Sequence, residues 1–133
     1  MTTTMATTAA ALVADAKQRV ENLSVEQTAA EIAAGALLVD LREPAELAQH
    51  GTIPGAIHAP RGMIEFYADP TSPYHRAEFD PARRIILHCA SGGRSALAAD
   101  TLRQMGYDNV AHLDGGLNAW KAAGRGVAAP PTT

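Results

Sequence analysis

Short, largely apolar runs punctuate the chain, separated by longer stretches whose apolar residues recur at helical spacing. ALLVD (36–40), RIILHC (84–89) and VAHL (110–113) are the apolar runs. A strand covered on both faces has no polar side to show, so these runs predict strands of a buried parallel sheet. Between the last two, Leu97, Ala98, Leu102 and Met105 fall on one face of a helix that Gly106 and the apolar Tyr107 should terminate. Strand, helix and strand within about thirty residues predict a right-handed parallel crossover.

Start and stop signals extend the pattern. Ser24 with Gln27 three residues on reads as a capping box, and Gly35 ends the helix it opens. REPAELAQHG (42–51) puts Pro44 in the first turn of a brief helix and Gly51 just past its end, and IPGAIHAP (53–60) turns at Pro54 and Gly55 into a further strand. A short helix from Leu117 to Ala123 is closed by Gly124. The alanine-rich stretch from Thr8 to Glu21 is helical by propensity but weakly periodic, an appendage to the rest. Residues 1–7 read as disordered. Arg61 to Arg84 carries three prolines and only a short helical start, Met63 to Tyr67, so it reads as a long surface excursion: a lid, a contact surface or a solvated connector. Tyr74 and His75 within it receive no role.

The chain divides into an N-terminal extension (1–21), partly helical, an α/β domain (22–126) and a disordered tail (127–133). With 133 residues, 47% of them hydrophobic, there is apolar material for one core and one domain. A net charge of -3 with scattered arginines offers no footprint for nucleic acid. No run reaches the roughly 18 apolar residues that span a bilayer, and the N-terminus lacks a basic region ahead of its alanines, so no membrane partner is expected and the expected location is the cytoplasm. One cysteine makes no internal disulfide and no zinc cluster.

That cysteine carries the candidate chemistry. In HCASGGRS (88–95), Cys89 stands at the carboxyl end of a predicted parallel strand, and the next helix begins near Arg94 and Ser95. Open α/β sheets bind ligands at this edge. The glycines allow successive N–H groups to turn inward as a nest, and the helix start adds unpaired donors, so an anion is the natural occupant. A free cysteine has a pKa of about 8.5, which helix starts and adjacent cations lower to about 3.5 to 7.5. The helix dipole alone supplies roughly 0.3 to 2 kcal/mol, so the loop amides must contribute as well. Arg94 adds a permanent charge whose planar fork suits an oxyanion. The competing structural reading makes Cys89 a small buried hydrophobe at a strand end.

Four motifs, DLREPAEL (40–47), GTIPGAIHAP (51–60), CASGGRS (89–95) and GYDNVAHLDGGLNAW (106–120), together resemble the successive signatures of the rhodanese family of sulfurtransferases. The resemblance spans about Asn22 to Gly124. It implies a single rhodanese-like α/β domain with a five-stranded, mostly parallel sheet flanked by helices, and a six-residue active loop from Cys89 to Arg94. It further implies that the Cys89 thiolate takes the outer sulfur of thiosulfate, releases sulfite and holds a persulfide for cyanide or a thiol. Cys89 and Arg94 would be catalytic; Ala90, Ser91, Gly92, Gly93 and Ser95 would contact the substrate, and Arg61 is a candidate second anion contact. Asp40 and Arg42 read as structural support, Gly115 and Gly116 as backbone passing close to the loop, Trp120 as core, and His88 as a strand residue with a satisfied ring. No metal or organic cofactor is implied. The expected partners are a small anionic sulfur donor and a thiophilic acceptor, with a protein donor or acceptor also open.

Two other readings stay open. Cysteine-dependent phosphatases and arsenate reductases also cradle an anion between cysteine and arginine, often after a histidine, but with one residue more between them than ASGG supplies. The domain would alternatively act as a regulatory or sulfur-carrier interaction module.

Overall fold

The computed structural model describes residues 6–131. The expected disorder of residues 1–5 and 132–133 lies outside them. In chain order the elements are α1 (Ala9–Arg19), β1 (Glu21–Leu23), α2 (Val25–Ala33), β2 (Leu37–Asp40), α3 (Pro44–His50), β3 (Ile57–His58), a 3₁₀ turn (Arg61–Met63) running into α4 (Ile64–Ala68), β4 (Ile85–His88), α5 (Gly93–Gln104), β5 (Val110–Leu113) and α6 (Gly116–Ala122). Among the described residues no helix is long and apolar enough to cross a membrane.

The strands form one sheet in the order β1-β5-β4-β2-β3, and every pairing is parallel. The predicted apolar runs are its three middle strands, each buried along its whole length. Side chains alternate between two cores. Val39, Ile85, Leu87 and Val110 pack with Ala98, Ala99 and Leu102 of α5 and with Ile64 and Phe79 of the 61–84 excursion. Leu38, Ile86, Ala111 and Leu113 pack with Val25 of α2 and with Leu117 and Trp120 of α6. The chain leaves β2 toward β3 on one side and β4 toward β5 on the other, so a crevice opens between the carboxyl ends of β2 and β4.

Local signals act where they were read. Ser24 accepts from Gln27 N–H at 3.1 Å while the Gln27 side chain accepts from Ser24 N–H at 2.9 Å. Pro44 opens α3, and Gly51, with φ of +71°, ends it. Tyr107 N–H bonds the Leu102 carbonyl beyond Gly106, which closes α5.

Four expectations need correction. α1 is no appendage: Ala16 is buried, the helix packs against α5, and Arg19 forks onto Asp100 at 2.8 to 3.2 Å. Its weak periodicity reflects a contact made through a single buried alanine and an ion pair. Because α1 covers a second side of α5, Ala96 and Asp100 are buried there, whereas Met105 caps the helix, 38% exposed, and Leu97 is only half-buried. The three-residue β1 escaped notice because two of its side chains, Glu21 and Asn22, are polar and exposed, and it takes Glu21 into the sheet across the expected boundary. In the tail, Ala128 exchanges backbone hydrogen bonds of 2.8 and 2.9 Å with Thr52, so the chain is pinned at that residue.

The 61–84 excursion is anchored. The Tyr107 hydroxyl shares its one proton between the carbonyls of Ala68 (2.8 Å) and Phe79 (3.1 Å), and Arg76 donates to that of His58 at 2.8 Å. Since Ala16 sits under α5 with no solvent access, Ala16→Asp buries an unpaired carboxylate there. Urea unfolding of that variant should show a loss of about 2 to 4 kcal/mol; an unchanged midpoint would mean that α1 does not support the domain.

Candidate active site

β4 ends at His88, and Cys89, 1% exposed, begins a short loop that α5 takes up at Gly93. Gly92 adopts φ of +103°, in the left-handed region that side chains disfavour, and its N–H donates to Cys89 Sγ at 3.1 Å. The carbonyls of Cys89 and Ala90 are committed elsewhere: they accept from Leu117 N–H (2.9 Å) and Asn118 N–H (3.0 Å) at the start of α6. Gly116 permits that approach. A methyl group there would run into the Cys89 carbonyl oxygen and sit 2.7 Å from the Ala90 carbonyl carbon. Two groups that would repel an anion are thus occupied, while an amide and the amino end of a twelve-residue helix face the sulfur.

Arg94, in the first turn of α5, reaches across the crevice to α3. Its Nη1 and Nη2 fork onto Glu46 Oε1 and Oε2 at 2.7 and 2.9 Å. The Arg94 bond holds the Glu46 carboxyl at about 2, far below the usual carboxylate range. The guanidinium is correspondingly harder to deprotonate, chiefly through Glu46 and further through the Cys89 sulfur. The anion clamp expected of Arg94 is therefore occupied by a carboxylate that the sequence reading missed. A signal existed: Glu46 sits three residues past Glu43, whose N–H it also caps at 3.0 Å, and so at the rim beyond β2. A cavity of about 220 Å³ opens here, lined by Arg42, Glu46, His50, Ala90, Leu117, Asn118 and Lys121. An incoming anion meets Arg94 only by sharing it with Glu46 or displacing it.

Asp40 and Arg42 form a buried pair (2.8 Å), and Asp40 also accepts from Thr52 Oγ1 at 2.6 Å while Arg42 donates to the Gly51 carbonyl at 2.6 Å. Burial opposes the Asp40 charge, but the bonds from Arg42 and Thr52 and the nearby His88 together hold its carboxyl below the ordinary value. The network ties β2 to the turn after α3 and thereby places Glu46. His88 corrects the sequence reading: both ring nitrogens are buried without a hydrogen-bond partner among the described residues, with Asp40 Oδ2 at 3.6 Å, because the aspartate's oxygens are taken by Arg42 and Thr52. Desolvation pushes His88 down to about 4. Arg61 does not line the cavity; it pairs with Glu65 one turn on at 2.9 Å. Ser91 is exposed on the loop, and Gly93 opens α5.

Beneath the sulfur, Ser95 begins a polar chain whose further members, His112 and Asn22, sequence reasoning did not single out. Ser95 Oγ is 3.7 Å from Sγ and 2.8 Å from His112 Nδ1, and His112 Nε2 is 2.7 Å from Asn22 Oδ1. His112 lies in the apolar run VAHL, where it reads as strand filling. Among the described residues, no three His, Cys, Asp or Glu side chains converge as metal ligands.

The site thus joins a parallel α/β sheet to a lone cysteine and an arginine about the amino end of a helix. The model of the rhodanese-like domain matches residues 24–123, and the chain belongs to that family. It is 40% identical over 94 residues, 71% of this chain and 79% of the relative, to a sulfurtransferase of Allochromatium vinosum. In structure it is similar to a Rhodopseudomonas palustris protein of unknown function described as a possible tyrosine phosphatase, with a TM-score of 0.88, 37% identity, and coverage of 96% of this chain and 99% of that one. It also resembles a thiosulfate sulfurtransferase of Pseudomonas aeruginosa, with a TM-score of 0.72 and 27% identity over 93% of this chain but 23% of that one.

The two depressed histidines carry a stability signature. Both His88 and His112 fall from 6.5 to about 4 by burial, so between those values the unfolded chain binds more protons than the folded one. Stability should be complete above 6.5 and decline as pH falls toward 4, by up to about 3 kcal/mol for each ring at 1.36 kcal/mol per unit. Below that, protonation of Asp40 adds to the loss. Urea midpoints measured across this window should fall steadily; a flat profile would mean that the rings are not shielded.

Proposed function

We propose that this chain is a sulfurtransferase that carries a sulfane sulfur on Cys89. The observation that carries the reading is the buried sulfur at the amino end of α5, with the Gly92 amide on it and the four residues ASGG before Arg94. A loop this short is better suited to a single extra sulfur atom than to a tetrahedral anion, and the relative named a sulfurtransferase supports the same chemistry.

In the scheme, the Cys89 thiolate attacks the outer sulfur of thiosulfate. The new S–S bond forms as the old one breaks, and the departing electron pair leaves with sulfite. Cys89 then holds a persulfide. Cyanide or a thiolate attacks the terminal sulfur and takes it, the S–S electron pair returns to Sγ, and the kinetics are ping-pong. The loop from Ala90 to Gly93 and the Ser95 hydroxyl surround the persulfide. Arg94 orients the donor and eases departure of sulfite once Glu46 yields part of its fork. Asp40 and Arg42 keep α3 in place, and Arg61, engaged with Glu65, has no part. The acceptor would enter through the cavity between α3 and α6, whose Lys121 and His50 favour an anionic or thiol-bearing molecule, free or on a protein.

The second reading, a cysteine-dependent phosphatase, draws on the description of the Rhodopseudomonas palustris structure and on His88 before the cysteine. The loop with one residue fewer argues against it, since a tetrahedral phosphate needs the wider ring of amides.

Intact-protein mass spectrometry after thiosulfate should find one added sulfur that a reductant removes and that Cys89→Ala abolishes; no adduct would defeat the proposal. Turnover of an aryl phosphate without a persulfide would establish the second reading instead. Arg94→Ala should cost about a hundredfold in kcat/KM for thiosulfate, the usual scale for one lost oxyanion donor. Glu46→Gln frees the guanidinium and should lower KM for thiosulfate several-fold, as steady-state kinetics would show, whereas a raised KM would mean that Glu46 holds Arg94 ready rather than competing for it.

A further inference from the structure

The chain Asn22–His112–Ser95 ends on the sulfur, and its proton directions can be read from its outer end inward. Asn22 Nδ2 donates to the carbonyls of Lys17 (2.9 Å) and Val20 (3.2 Å), which fixes the amide and leaves Oδ1 to face His112. Oδ1 only accepts, so His112 Nε2, 2.7 Å away, carries the ring proton and Nδ1 is a bare acceptor. Ser95 has one hydroxyl proton. His112 Nδ1 lies 2.8 Å from Ser95 Oγ and the Gly92 carbonyl oxygen 3.3 Å, so the proton goes to His112. What Ser95 turns to Cys89 is then a lone pair, which receives the thiol proton at 3.7 Å.

We propose that His112 is a positioning residue for Cys89: acting through Ser95, it commits the hydroxyl proton away from the sulfur, so that Ser95 accepts from the thiol and becomes a donor to the thiolate only by giving up its bond to His112. This rests on Cys89 being the reacting atom. Ionising the sulfur therefore costs the protein a buried hydrogen bond, and the histidine restrains the nucleophile until the hydroxyl turns. The ring faces Asn22 from β1, Ser95 from α5 and the apolar Leu87, its register partner on β4. The charged groups about it are Lys17 of α1, which disfavours an imidazolium, and Asp114 beyond β5, which favours one. Burial outweighs both and holds the ring at about 4, so it is neutral in ordinary buffers and the commitment persists.

Two substitutions separate the nitrogens. His112→Gln keeps a donor for Asn22 but loses the acceptor for Ser95, whereas His112→Asn places an amide oxygen near the Nδ1 position. The pH profile of Cys89 alkylation by iodoacetamide should move down by about one unit in His112→Gln, a tenfold gain in reactivity on the acid side, and stay at the wild-type position in His112→Asn. In a Ser95→Ala background the His112→Gln shift should vanish. Nitrogen-15 spectra of the wild-type imidazole should show the proton on Nε2. A folded His112→Gln protein with an unmoved profile, a shift that survives Ser95→Ala, or a proton on Nδ1 would each overturn the proposal. Alkylation needs no sulfur transfer, so failure of this inference is distinct from failure of the sulfurtransferase reading, which the thiosulfate adduct decides.

Discussion

Two amides at the start of α6 hold the carbonyls of Cys89 and Ala90, and the shape of the loop follows from where those carbonyls are kept. A peptide plane has an N–H side and a C=O side, and a loop of this length cannot shelter a negative sulfur if its oxygens point inward. α6 resolves this by offering its own unpaired first-turn amides as partners, which satisfies both helix and loop. The close approach requires glycine at 116, because any Cβ would occupy the space of the Cys89 and Ala90 carbonyls. The GG pair after β5 is therefore as much a part of the site as the GG pair after Cys89.

Charge at the rim is arranged in two steps. The buried Asp40–Arg42 pair, with Thr52 and the Gly51 carbonyl, fixes how β2 gives way to α3, and a pair so enclosed serves position more than net stability. α3 then presents Glu46 to Arg94 across the crevice. In this resting arrangement the arginine is paired with a carboxylate, and in the proposed scheme exchange of carboxylate for substrate is the step that exposes the cation. Below the sulfur the chain from Asn22 to Ser95 sets hydroxyl direction in the same indirect manner. The sulfur is governed from both sides by groups that touch its neighbours.

Much of this was legible in the sequence because its causes are local. ALLVD, RIILHC and VAHL must be covered strands, the Ser24 box and Pro44 must open helices, and a lone cysteine before two glycines at such a strand end must face a helix start. What escaped depends on contacts between distant segments. Glu46 looks like a helix-capping acid until α3 and α5 are brought together, and His112 looks like strand filling until β1 places Asn22 beside it. β1 itself has too few apolar residues to announce a strand. α1 reads as loose because its contact with α5 is made through Ala16 and the Arg19–Asp100 pair, neither of which leaves an apolar stripe. Nothing in RIILHC discloses that His88 finds no partner among the described residues, since that depends on Asp40 being engaged elsewhere.

In the proposed scheme the loop receives one atom on Sγ with the Gly92 amide already in place. A crystal structure of the protein after exposure to thiosulfate tests it most directly. The account predicts one additional sulfur bonded to Cys89 Sγ and enclosed by the loop, with the Gly92 N–H still aimed at the sulfurs and the Cys89 and Ala90 carbonyls still held by Leu117 and Asn118. An unmodified Sγ, or a loop whose carbonyls had swung toward the sulfur, would contradict it.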